Sequence, residues 1–151
     1  METMMATPQD AGIILKLYEL RTEPVMRRAR AWMLTEFWPA TVDEFFAVAN
    51  DFGSEQNAWF RQVISYWEMA AALVLHGSVS VDLFVDANGE GFFYLAKFAP
   101  LLEAIRQRNP VFLIKSSELL SRFTVAAQRY EAIAGRVEML RARHAEQRVS
   151  C

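Results

Sequence analysis

"EQNAWFRQVISYWEMAAALVLH", residues 55–76, decides the fold. Ser54 before it suits a helix N-cap and Gly77 after it suits a helix stop. Its first half keeps one polar stripe, Arg61, Ser65 and Glu68, at spacings of four and three. Its second half, "MAAALVL", is apolar on every side and must be covered all round. No stretch of the chain alternates with period two for long enough to make a sheet, so the cover has to be helical. The expectation is an all-α, single-domain bundle over residues 1–151, of about six or seven helices.

Outward from this helix the punctuation agrees. Upstream, Thr7 and Pro8 read as an N-cap and first-turn proline, followed by Ile13, Ile14, Leu17, Tyr18 and Leu20 at helical spacing. Thr22 opens a second helix running to about Trp38, before Pro39. Thr41 with Glu44 three residues later is a capping box that leads into Phe45, Phe46 and Val48, and Gly53 fits the stop. Downstream, Ser80 caps a short helix through Val85. "DANGEG", 86–91, is a turn in which Asn88-Gly89 supplies positive φ. A helix follows from about Phe92 to Arg108, then "VFLI", 111–114, as a connector, then a long helix from about Ser117 into the 140s. Residues 1–6 are expected to be disordered and 147–151 to form a mobile tail.

The last helix carries a seam. Phe123, Ala126, Tyr130, Ile133, Val137, Leu140 and His144 are separated by 3, 4, 3, 4, 3 and 4 residues, a heptad pattern bordered by charges. A helix from Ser117 to Glu146 would be about 45 Å long at the standard rise, beyond what a small body is expected to cover. The expectation is a homodimer with Tyr130, Ile133, Val137 and Leu140 in the contact. The alternative is packing within one chain against Ile14, Leu17 and Leu20 of the first helix.

Composition limits the function classes. Hydrophobic residues are 53% of the 151, which stocks a core large enough to need no disulfide or metal. With 16 basic and 18 acidic side chains, a net charge of −2 gives no footprint for nucleic acid. The arginines of "RRAR", 27–30, lack the interleaved aromatics of a stacking platform, so no nucleic-acid partner is expected. The single cysteine, Cys151, cannot form an internal disulfide. "METMMATPQD" lacks the regions of a signal peptide, and "MAAALVLHGSVSV", 69–81, is too short to span a bilayer. A cytoplasmic protein without membrane insertion is expected.

Chemistry-bearing patterns are few. Asp86, Asn88, Glu90 and Gly91 stand at positions 1, 3, 5 and 6 of a calcium loop, but position 12, which needs a bidentate carboxylate, is Lys97. The stretch therefore reads as a turn. His76 suits a helix C-terminus, and His144 belongs to the seam and reads as solvated. Neither sits in a metal-ligand spacing, so no metal or other cofactor is expected. There is no nucleophile elbow and no phosphate-cradling glycine loop, so no catalytic residue is nominated and an enzyme is not the favoured class.

Glu68 is the polar residue that most needs explaining, since it lies in "YWEMAAALVL" with Arg61 two turns earlier on the same face. A buried carboxylate needs a partner, which favours a structural ion pair or cap. The functional alternative is a polar group in a ligand pocket lined by Trp32, Trp38, Arg61, Tyr66 and Trp67.

"LKLYELRTEPVMRRAR" and "YWEMAAALVLHGSVSVDLFVDANGEGFFYLAKF" resemble a bacterial helical family known only as a domain of unknown function. The shared features are an aromatic-aromatic-Glu helix, a glycine turn, a short Asp-Leu-Phe helix and an acidic glycine-containing turn. The resemblance implies an all-α body and no activity, ligand or catalytic residue. Two functions then compete: a non-catalytic protein acting through self-association or protein interaction, and a binder of a small apolar or aromatic molecule near Glu68.

Overall fold

A computed structural model of the chain describes residues 5–150. Met1–Met4 of the segment expected to be disordered, and Cys151 of the expected tail, lie outside the described residues. The described residues form nine α-helices and no strand: α1 Pro8–Arg21, α2 Pro24–Thr35, α3 Val42–Ala49, α4 Glu55–Leu75, α5 Val81–Ala87, α6 Glu90–Phe98, α7 Leu102–Arg108, α8 Ile114–Arg122 and α9 Thr124–Val149. The all-α bundle is as expected, and the higher number has two local causes.

The first cause is Pro100. It has no N–H to return to the Ala96 carbonyl, so the helix ends as α6 and resumes as α7 after a 3-10 turn at Ala99–Leu101. The Arg141 guanidinium donates to that carbonyl instead, at 2.8 Å, and to Lys97 O at 3.0 Å. The second cause is Phe123, whose extended backbone (φ −127°, ψ 117°) separates α8 from α9. No proline or glycine marks this break, which is why the sequence reads as one helix there.

α4 lies at the centre, packed by α2, α3 and α8. The Ser54 hydroxyl accepts from Asn57 N at its start. At its end Gly77 adopts φ +79°, with Ser78 N donating to Leu73 O and Gly77 N to Val74 O, a Schellman closure. Ala70, Ala71 and Val74 are buried, but Met69 is 45% exposed, so cover of the apolar half is not complete. Beside α4 lies a cluster of phenylalanines around Phe45, whose ring centroid is 5.1 Å from Phe112 and 5.4 Å from Phe60 and Phe98, edge to face.

Two glycines in the 86–91 turn correct the sequence reading. Gly89 has φ −95°, not a positive value. A Cβ there would lie 3.0 Å from Arg129 and 3.3 Å from Ile133, so the residue is small because α9 passes close by. Likewise a Cβ on Gly91 would lie 3.1 Å from the Trp67 ring.

α9 runs 26 residues, about 39 Å at the standard rise. It lies along α6, α8 and α5 of its own chain. Val137 is fully buried against Trp38 and Ala96, with Phe93, Tyr130, Ile133 and Leu140 packed around them. The expectation for packing within one chain therefore needs correcting: the seam lies on α6 and Trp38 and not on the first helix. The long helix is covered because the bundle gives it a groove along its length. The expected tail is helical to Val149 and tied down by Arg148. No helix of the described residues is long and apolar enough to cross a membrane.

Candidate functional site

The six residues expected to share a pocket are not brought together. Trp32 stacks on Phe37 in the core (4.8 Å, 8°). Trp67 stands edge-on to Tyr66 (4.9 Å, 90°), and the Tyr66 hydroxyl donates to Leu17 O. Burial pushes that phenol up to about 12. Arg61 donates to Asn57 Oδ1 at 2.8 Å, and the Asn57 amide closes α3 by donating to Val48 O and Ala49 O.

Glu68 proves to be a helix cap supplied from another helix. α8 begins after Leu113, a residue held at φ +52° whose side chain cannot accept a hydrogen bond. The orphan donors of that first turn are met by Glu68: Lys115 N at 2.9 Å, Ser116 N at 3.1 Å and Ser116 Oγ at 2.6 Å. A carboxylate at a helix N-terminus is favoured by the dipole as well as by the hydrogen bonds. The void beside Ser116 and Trp67 measures about 10 Å³, room for about one water molecule and no organic ligand. Arg61 takes no part. The structural reading of Glu68 holds, with a partner other than the expected ion pair.

Trp38 leads elsewhere. It walls a cleft of about 210 Å³ between the α2–α3 connection, the end of α6 and the last turns of α9. Pro39, Pro100 and Leu101 supply apolar wall, while Arg141, His144 and Arg148 come from α9. Lys97 belongs to the same lining and is only 4% exposed.

The local folding explains each position. α2 ends at Thr35 with carbonyls to satisfy. Trp38 Nε1 donates to Leu34 O at 3.2 Å, and Lys97 Nζ donates to Met33 O. That is the one hydrogen bond the Lys97 side chain makes among the described residues, and no carboxylate pairs with it. Its ammonium carbon stem runs among aromatic faces instead, with Nζ 4.9 Å from the Trp38 ring centroid, 5.3 Å from Phe98 and 5.4 Å from Phe37. Burial holds its pKa well below the ordinary lysine value.

His144 lies flat on Trp38, with ring centroids 4.8 Å apart and 18° between planes. Burial is the main cause that lowers its pKa. The seam histidine is thus part of the cleft and not simply solvated. Arg148 forms a bidentate pair with Glu44 at 2.9 and 3.0 Å and also donates to Trp38 O at 3.0 Å. Glu44 is held below the usual carboxylate range by Arg148 and then by Ala40 N, which it accepts from at 2.7 Å. The capping box at Thr41 is therefore half formed. Thr41 accepts from Glu44 N, but the Glu44 carboxylate serves Ala40 and Arg148.

Sequence reasoning placed Trp38 in a pocket and His144 on the α9 stripe, but set Lys97 aside as a defect in a calcium loop. The signal was available in "FFYLAKF", where one cation stands in an apolar helix at a position that must face inward. In the same turn, Glu90 is engaged by Arg30, with Nε to Oε2 at 2.9 Å and Nη2 to Oε1 at 2.7 Å, and it accepts from the Tyr94 hydroxyl at 3.0 Å.

Residues 6–123 match the family described as Domain of unknown function (DUF4760), and the chain belongs to that family. No curated protein and no solved structure matches it. The matched region contains Trp38 and Lys97 and ends one residue before α9 begins, so the cleft is built from the family body on one side and the last helix on the other.

Proposed function

We propose that this protein binds a small organic acid with an aromatic or apolar body in the Trp38–Lys97 cleft. The carrying observation is an apolar cleft of about 210 Å³ that meets Lys97, Arg141, His144 and Arg148, with no carboxylate in its lining. A few convergent polar groups in a mostly apolar concavity are what orient a small ligand. Arg141 and Arg148 are fixed by backbone carbonyls and by Glu138 and Glu44, so that the cations of the wall meet a ligand carboxylate at little further ordering cost. We place this binding in the cytoplasm, on the single cysteine.

Tryptophan fluorescence during titration with 4-methylbenzoate tests the reading. A saturable change is expected, lost in Trp38→Ala and absent with benzylamine, which has similar bulk and the opposite charge. Equal responses to both compounds, or none to either, would overturn it.

Self-association is a second reading, and an observation on α1 favours it. Leu15 and Tyr18 are 68% and 56% exposed and lie with Ala11 on one stripe of that helix. A stripe on a single helix can meet its copy across a two-fold axis, which makes a second copy of this chain the partner. The homodimer would then use α1 in place of the seam. Light scattering should show a dimer that Leu15→Glu converts to a monomer; a monomer at tens of micromolar without substitution would end this reading.

A further inference from the structure

Lys97 is the one charged side chain in the buried set of the described residues, beside Asn57, Asn88 and Ser116; Trp67 Nε1 and Asn88 Nδ2 are buried there without a partner, but neither carries a charge. Glu90 has Arg30 and Tyr94, Glu68 has the start of α8, and Asn57 has the end of α3. Lys97 has one backbone carbonyl and the faces of three aromatic rings, yet it lines the cleft of about 210 Å³. An ammonium carries three donors, and burying it with one acceptor and no counter-ion is unfavourable. A neutral amine fits the same place: one N–H meets Met33 O, and a lone pair is left over.

We infer that Lys97 is a nucleophilic amine that forms an imine with ligands of the cleft carrying an aldehyde or ketone, so that the bound acid is a carbonyl acid. This rests on the binding reading given above and adds a covalent step to it. The amine lone pair attacks the carbonyl carbon, and the C=O π pair moves to oxygen. One amine proton is transferred to that oxygen to give a carbinolamine. The nitrogen then expels hydroxide, which leaves as water with the second amine proton, and a C=N bond remains. No oxidant or reductant is involved. His144 lines the same cleft. Burial disfavours the ammonium at this place and so favours the neutral amine whose lone pair attacks.

The chain has three lysines, which makes the test clean. Lys16 and Lys115 are both exposed on the surface, away from the cleft lining. The full chain is incubated at neutral pH with 4-carboxybenzaldehyde, reduced with borohydride to fix any imine as a secondary amine, and mapped by peptide mass spectrometry. One carboxybenzyl group is expected on Lys97, gained at least about tenfold faster than on Lys16 or Lys115. In Lys97→Met, shown to be folded by circular dichroism, the fast adduct should vanish. Equal labelling of the three lysines, or none on Lys97, would overturn the inference, and this comparison needs no variant. 4-Methylbenzoate, which cannot form an imine, separates the two claims. If it binds and Lys97 stays unlabelled, the amine chemistry falls and the binding stands. If it does not bind, the binding reading falls first.

Discussion

Glu68 and Lys97 are both single charges set among aromatic residues, yet the fold treats them in opposite ways. Glu68 accepts three hydrogen bonds from the first turn of α8, and the void beside its partner Ser116 measures about 10 Å³. The Lys97 side chain makes one hydrogen bond and faces a cleft of about 210 Å³. A satisfied buried charge is explained by the architecture that satisfies it. An under-satisfied one beside open space is not explained by packing, and this is the difference that assigns structure to one and function to the other.

The comparison assumes that the α4 side of the molecule is a filled core. The variant with the largest expected effect checks this. Phe45 is 1% exposed and touches four other phenylalanines of the cluster edge to face. Phe45→Ala should cost about 3–5 kcal/mol in urea denaturation, in the range for deleting a buried aromatic ring. A loss under about 1 kcal/mol would mean that the site collapses or hydrates, and the core would then be no better packed than the cleft.

Next in size is the cap. Glu68→Ala leaves Lys115 N, Ser116 N and Ser116 Oγ without their acceptor. The expected loss is about 2 kcal/mol, at the upper end for caps because several donors are orphaned together. Glu68→Gln keeps one acceptor oxygen and should lose about half as much. Hydrogen exchange should show the loss confined to the first turn of α8. If ligand binding falls while stability does not, Glu68 belongs to a site after all.

How far the sequence could have led here follows from these residues. Much that is encoded locally was readable: the Thr7, Thr41, Ser54 and Ser80 caps, the Gly77 stop and the central helix; but Glu23, not the expected Thr22, caps α2, and α3 ends at Ala49, ahead of the expected Gly53 stop. The seam was also readable as a stripe. What it packs against was not, because a heptad pattern states that a partner exists without naming it. Glu68 meets residues 47 and 48 positions away, and Lys97 meets one 64 positions away. Pairings at that range are products of the tertiary arrangement and leave no spacing to count. The glycines at 89 and 91 misled for the same reason. Their smallness answers to α9 and Trp67, and not to a local turn.

The pH dependence of stability sharpens the Lys97 side. Its folded pKa is depressed by burial, so between that value and about 10.4 the unfolded chain binds a proton that the folded chain does not. Stability from this group is therefore complete above about pH 10.4 and is lost as pH falls toward the folded value, with a slope approaching about 1.4 kcal/mol per pH unit. Urea midpoints from pH 7 to 10 should rise more steeply in the unmodified protein than in Lys97→Met. Matching slopes would mean that Lys97 stays charged in the fold, and the under-satisfied lysine would lose its special place.

The smallest effect concerns the outer wall of the cleft. The Arg148–Glu44 pair is bidentate, but its side chains are 49% and 42% exposed. Solvent screens such a pair, and exposed ion pairs are worth only about 0.2–1 kcal/mol. Arg148→Ala should thus barely move the denaturation midpoint. It also removes the hydrogen bond to Trp38 O, the contact that holds the end of α9 beside the cleft. The consequence should be local: faster exchange of amides near the end of α9, and weaker 4-methylbenzoate binding at unchanged global stability. Arg143→Ala, an exposed α9 residue outside the cleft lining, is the matched control and should change neither. A wall that contributes little to stability but measurably to binding is what separates a ligand cleft from a gap in packing. A variant that loses stability and binding in proportion would place the cleft on the structural side, with Glu68.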